Sequence, residues 1–94
     1  MPLTDLSQKT VFITGASSGI GLACAHAFAR HDARLIISAR RKERIEVLAQ
    51  ELNRIHDTEV LTIQLDVRNQ PAVEKAVHDL PANWKDIDVL VNNA

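Results

Sequence analysis

Three observations on the 94-residue sequence predict an α/β fold, a parallel sheet covered by helices on both faces. Short β-branched runs alternate with stretches of helical apolar spacing, so the elements read β-α-β-α-β-α-β. The strand runs are apolar almost without interruption, as strands buried on both faces must be. Finally, a glycine-rich loop joins the first strand directly to the first helix.

Residues 1–9 read as a short polar lead-in. Thr10 to Thr14 is a β-branched and aromatic run ended by Gly15, a buried strand. From Gly19 to His31 the chain is rich in alanine, with Ile20, Cys24, Ala27 and Phe28 at helical spacing. Leu35 to Ser38 is a second strand. The helix after it carries Ile45, Leu48, Ala49 and Leu52 on one face and polar residues opposite. Val60 to Leu65 makes the third strand, closed by Asp66. Asn69 is suited to cap the next helix, and Pro71 is tolerated in its first turn. Val73, Ala76, Val77 and Leu80 give that helix an apolar stripe, and Pro81 closes it. Ile87 to Val91 is the fourth strand, running into Asn92-Asn93-Ala94.

Composition narrows the function classes. Hydrophobic residues make up 46% and charged residues 24%, the mixture of a globular domain rather than a disordered or fibrous chain. A net charge of −1 offers no electrostatic footprint for nucleic acid. The apolar runs are far shorter than the roughly 20 residues a membrane-spanning helix needs. The start, Met1-Pro2-Leu3-Thr4-Asp5, has neither the basic nor the apolar region of a signal peptide. The single Cys24, read as a small buried hydrophobe, agrees with a reducing compartment, and the expected location is the cytoplasm. His26, His31, His56 and His78 lack metal-ligand spacing and read as boundary or surface residues, so no metal is expected. Tyrosine is absent, leaving Trp84, Phe12 and Phe28 as the only aromatics. No residue of this chain can therefore act as a phenolic acid or base.

The chemistry-bearing motif is Thr14-Gly15-Ala16-Ser17-Ser18-Gly19-Ile20-Gly21, placed between strand and helix as a dinucleotide-binding turn requires. Gly15 permits the tight turn, and Gly19 lets backbone approach a pyrophosphate. Gly21 lets the helix pack closely. The N–H groups at the helix start and the positive end of its dipole form the anion site, with hydroxyls from Ser17 and Ser18. Gly15, Ser17, Ser18, Gly19, Ile20 and Gly21 are thus the loop's candidate cofactor contacts. No Lys-Ser/Thr pair follows, which excludes a P-loop.

The loop matches the pattern TGxxxGxG, Asp66-Val67 follows the third strand, and Asn92-Asn93-Ala94 follows the fourth. In this order the three motifs resemble the N-terminal half of the short-chain dehydrogenase/reductase family. The resemblance implies a Rossmann-like sheet of strand order 3-2-1-4, an incomplete doubly wound fold, with residues 1–94 as its dinucleotide-binding half-domain. It also implies that Asp66 bonds the adenine amino group and Val67 contacts adenine through its backbone. Asn93 would meet a cofactor ribose through backbone atoms, while Asn92 would brace neighbouring strands.

The end of the second strand reads Ser38-Ala39-Arg40-Arg41. An NAD-binding unit places a carboxylate there for the ribose 2′-hydroxyl, whereas arginine suits a 2′-phosphate. Arg40 and Arg41 therefore predict NADP(H) as cofactor. The run Arg40-Arg41-Lys42-Glu43-Arg44, with Gln64-Leu65-Asp66-Val67-Arg68-Asn69, is similar to NADP-dependent 3-hydroxy acid dehydrogenases, a group that includes serine and allo-threonine dehydrogenases.

The family's activity implies hydride transfer between a nicotinamide and a carbonyl/alcohol substrate. Its Tyr-x-x-x-Lys pair and upstream Ser lie past the Asn-Asn-Ala motif, so none is carried over and the 94 residues alone are expected to be inactive. The expectation is the cofactor-binding portion of a longer oxidoreductase, its last strand an open edge prone to self-association. The alternative is a stand-alone, non-catalytic NADP(H)-binding module. A downstream Ser and Tyr-x-x-x-Lys in the coding sequence would separate the two.

Overall fold

A computed structural model of the chain describes residues 6–93. The first five residues of the polar lead-in, and Ala94 of the closing motif, lie outside the described residues. The elements are β1 (Thr10–Thr14), α1 (Gly19–Arg30), β2 (Arg34–Ala39), α2 (Lys42–His56), β3 (Val60–Gln64), α3 (Gln70–His78), a 3-10 turn (Ala82–Trp84) and β4 (Val89–Asn92). The four strands form one parallel sheet in the order β3-β2-β1-β4, as expected. Ile13 of β1 lies opposite Ile37 of β2 on one side and Val91 of β4 on the other.

Alternation along the strands builds two cores. Val11, Ile13, Leu35 and Ile37 turn to the face under α1 and α2, where they meet Ala25, Ala29, Ile45, Leu48 and Leu52. Phe12 and Ile36 turn the other way, against Leu65, Leu80 and Trp84. Each fully buried Ile or Leu contributes about 1.5–3 kcal/mol of transfer free energy, so the central strands dominate stability. Alanines at 25 and 29 bring α1 close to the sheet, and their helix propensity favours the same element.

The face under α3 is thinner. Val73 and Ala76 pack against the second core and Leu80 is buried, but Val77 is 42% exposed and α3 buries no residue fully. The apolar stripe expected on this helix is thus only partly used. Val77 instead borders an open groove of about 470 Å³ with Val67, Ile87 and Leu90, beside β4, one of the two edge strands of the sheet. Asn69 caps α3 as anticipated, its side-chain oxygen accepting from the Ala72 N–H at 3.2 Å.

The fourth strand begins two residues later than its apolar run suggests. Ile87 packs against the second core ahead of the strand. Asp88 then makes a reciprocal clasp, its N–H donating to the Thr10 carbonyl and its carboxylate accepting from the Thr10 N–H, both at 2.9 Å.

Candidate nucleotide-binding site

The carboxyl ends of the strands meet in a cleft of about 390 Å³, formed where β1 passes into the glycine loop. Gly15 holds φ at +61°, in the left-handed region that only glycine enters without cost. A Cβ at this position would overlap the carbonyl oxygen of Asn93, which the end of β4 brings against the loop. The Asn93 side-chain amide donates to the Gly15 carbonyl at 3.1 Å. Its backbone N–H donates to the Thr14 hydroxyl at 3.0 Å. That hydroxyl in turn lies 3.1 Å from the Asn92 side-chain oxygen, to which it donates. The motif at the end of β4 therefore builds the loop before α1. Asn92 ties β4 to β1, and Asn93 fixes the turn itself as well as lining the cleft.

The two later glycines have separate reasons. A Cβ on Gly21 would overlap the Gly15 carbonyl and stand 2.6 Å from the Asn93 amide nitrogen. What Gly21 clears is thus the turn and its brace, rather than side chains of the sheet. Gly19 also has a positive φ, +59°, yet nothing lies within 4 Å of where its Cβ would be. Its missing side chain leaves room at the start of α1. Ser18 occupies the N-cap position of α1 but makes no side-chain capping bond, so its hydroxyl stays uncommitted there.

Of the sequence-predicted residues, the cleft brings together Gly15, Ser17, Ser18, Arg40, Asp66, Val67 and Asn93. Gly19 and Gly21 shape its loop without lining it. Ile20 sits in the first turn of α1 with 72% of its surface exposed, outside the lining. Arg41 stands outside it too, at the N-cap of α2, where its carbonyl accepts from the N–H groups of Arg44 and Ile45.

Two lining residues escaped the sequence reading, Ala39 and Arg68. Arg68 grips Asp66 three times. Its backbone N–H and Nε donate to Oδ1 at 3.0 and 3.1 Å, and one Nη donates to Oδ2 at 2.9 Å. These bonds, with the nearby charges of Arg68 and Arg40, lower the Asp66 pKa from 3.8 to about 2. The available signal was the Asp-x-Arg spacing at a strand end, where a turn folds the chain back on itself. The structure also pairs His26 with His56 across α1 and α2, ring nitrogens 3.3 Å apart, a meeting their separation in sequence conceals.

The family model for short chain dehydrogenases matches residues 9–94. The chain belongs to the short chain dehydrogenase family. Similar relatives in that family include the NADP-dependent 3-hydroxy acid dehydrogenase YdfG of Salmonella typhi, 48% identical over 89% of this chain and 32% of its own length. The serine 3-dehydrogenase of Agrobacterium fabrum is 44% identical over 90% of this chain and 32% of its own. Among solved structures, the L-sorbose reductase of Gluconobacter frateurii complexed with NADPH and L-sorbose superimposes with a TM-score of 0.90 at 36% identity. That match covers 97% of this chain and 35% of the reductase. The chain thus spans about a third of the length of the short chain dehydrogenases it matches. Among the described residues, no helix is long and apolar enough to cross a membrane.

Proposed function

We propose that these residues hold NADP(H), as the cofactor-binding part of an NADP-dependent oxidoreductase acting on a carbonyl/alcohol pair. The observation that carries this reading is Arg40. It lines the cleft at the end of β2, a strand end that itself supplies no carboxylate to repel a 2′-phosphate, while the Asp66 carboxylate in the same cleft is held by Arg68. Among the described residues its guanidinium enters no ion pair, so its donors remain open to a ligand.

The loop fits the rest of a dinucleotide. Open space at Gly19, the N–H groups that begin α1 and the uncommitted Ser18 hydroxyl are what a pyrophosphate requires. Ser17, Ser18 and the N–H groups at Gly19 and Ile20 would hold the pyrophosphate on the turn that Gly15 and Gly21 shape, and Arg40, with Arg41 behind it, the 2′-phosphate. Asp66 and Val67 would take the adenine, and the Asn93 backbone the adjoining ribose. When bound, the nicotinamide supplies the hydride chemistry. The work of these residues is to bind and orient it, and residues 1–94 are accordingly a Rossmann half-domain.

The substrate class we assign to the whole protein is a 3-hydroxy acid, on the strength of the relatives above. The lone Cys24 supports a cytoplasmic setting. The open edge of β4, with Leu90 63% exposed, supports self-association of the 94-residue chain. Sedimentation at increasing concentration should give a rising average mass, and a constant monomer mass would refute that last point.

Affinities for NADPH and NADH, measured before and after Arg40→Ala and Arg41→Ala, test the central reading. Charge-assisted bonds contribute about 1.5–3 kcal/mol each, so the unaltered chain should favour NADPH by roughly tenfold to several hundredfold. Arg40→Ala should remove most of that preference and Arg41→Ala less, since only Arg40 lines the cleft. A ratio unchanged in the double variant would overturn the assignment.

A further inference from the structure

Arg68 has no part in the reading above, yet it lines the cleft and controls the carboxylate assigned to the base. An ionised carboxylate offers about four lone-pair positions, two on each oxygen. Oδ1 of Asp66 accepts from both the backbone N–H and the Nε of Arg68, so both of its positions are filled. Oδ2 accepts once, from Nη at 2.9 Å, and keeps one position free. The planar guanidinium fixes this arrangement in a way a single ammonium cannot, because it reaches both oxygens together.

We propose that Arg68 is a specificity-determining residue of the nucleotide site, holding Asp66 so that one acceptor position on Oδ2 faces the base and selects a purine with a 6-amino group. The inference rests on the assignment of Asp66 to the adenine side. A 6-amino group donates to the free position. A 6-oxo group brings a second acceptor against a carboxylate that Arg68 has already oriented, and is turned away. Without the Arg68 guanidinium only the backbone bond to Oδ1 remains, the carboxylate can turn about it, and the distinction weakens. Arg68 acts through Asp66 and is therefore a positioning residue. Its side chain is 74% exposed, so its replacement leaves the two cores intact.

The experiment compares binding of adenosine 2′,5′-bisphosphate with that of its inosine counterpart and of 5′-AMP, by calorimetry, on the chain and its variants. The unaltered chain should favour the amino ligand over the oxo ligand by about tenfold or more, the scale of one well-placed hydrogen bond to a charged group. Arg68→Ala and Arg68→Gln should reduce that ratio to about threefold or less, and Arg68→Lys should fall between. In all three the advantage of the 2′-phosphate over 5′-AMP should persist, because it belongs to Arg40. A second readout follows from the low Asp66 pKa. Followed by NMR of the side-chain carboxyl without ligand, Asp66 should titrate higher in Arg68→Ala than in the unaltered chain. It should yet stay below its ordinary range, because the backbone N–H of residue 68 and the charge of Arg40 remain. An unmoved titration would count against the grip of the side chain.

An amino-to-oxo ratio unchanged in Arg68→Ala would overturn the proposal. So would loss of the 2′-phosphate advantage in its place, which would put the guanidinium on phosphate. If the unaltered chain bound none of the three ligands, the nucleotide reading itself would fall and take this inference with it. The Arg68 variants bear on the inference alone.

Discussion

Two arginines bracket the same strand and meet opposite fates. Arg34 opens β2, and its side chain is held by several neighbours. It stacks over the Trp84 ring at 4.0 Å and donates to the Glu59 carboxylate at 2.9 Å, the Thr10 hydroxyl at 3.1 Å and the Asn83 carbonyl at 3.0 Å. Arg40 follows the end of β2, lines the cleft and has no ion pair among the described residues. At the amino ends of the strands Arg34 is spent on its neighbours; at the carboxyl ends Arg68 closes on Asp66, but Arg40 and the start of α1 keep donors free. A parallel sheet places its helix N-termini and its strand-end turns at the carboxyl pole, so that is where uncommitted donors gather. Engagement marks the amino pole as structural, and available donors are what assign the proposed nucleotide site to the carboxyl pole.

The comparison breaks most clearly if the wrong pole is emptied. Trp84→Ala removes the ring beneath Arg34 and opens the second core, and should lower stability by about 3–5 kcal/mol in urea unfolding. Nucleotide affinity of the folded fraction should change by no more than about twofold, since distant sites act independently. A large loss of affinity here would mean that the two poles are coupled.

Gly15→Ala tests the other pole. It forces a side chain into a left-handed turn and against the Asn93 carbonyl, two costs that together amount to about 2 kcal/mol or more. Because the strain falls on the loop proposed to hold the pyrophosphate, affinity for NADPH should drop by about tenfold or more, beyond the loss of stability. Equal affinity in the folded variant would show that the turn serves folding alone.

Legibility in the sequence follows the same division. The strands, the helices and the glycine loop were readable because they depend on local period and on residues adjacent in the chain, whereas the strand order was implied only by the resemblance to the family. The Asn69 cap was readable for the same reason, being settled within four residues. What stayed hidden depends on contacts made in three dimensions. Trp84 could be read as an anchor, but nothing in the sequence says that Arg34, fifty positions earlier, lies over its ring. Arg40 and Arg41 look equivalent as neighbours, and the start of α2 separates them, one into the cleft and one to the cap. Val77 fits its helical stripe, yet the stripe extends past the core available to receive it. Asn93 looked like a backbone contact for a ligand, and its side chain turns out to hold the loop.

That last point yields the finest test, because Asn92 and Asn93 are adjacent, chemically identical and differently used. Asn93→Ala removes the donor that holds the Gly15 carbonyl, while its backbone bond to the Thr14 hydroxyl is untouched. One neutral hydrogen bond of this kind contributes about 1 kcal/mol, so both stability and NADPH affinity should fall, the latter by about fivefold. Asn92→Ala removes only an acceptor for the Thr14 hydroxyl, which has the Val91 carbonyl 3.4 Å away as a substitute. Its effect on stability should stay within about 0.5 kcal/mol, and affinity should hardly move. If the two variants lost affinity equally, the brace on the loop would belong to the strand pairing as a whole. If only Asn93→Ala lost it, a single amide is what keeps the turn before α1 in its binding shape.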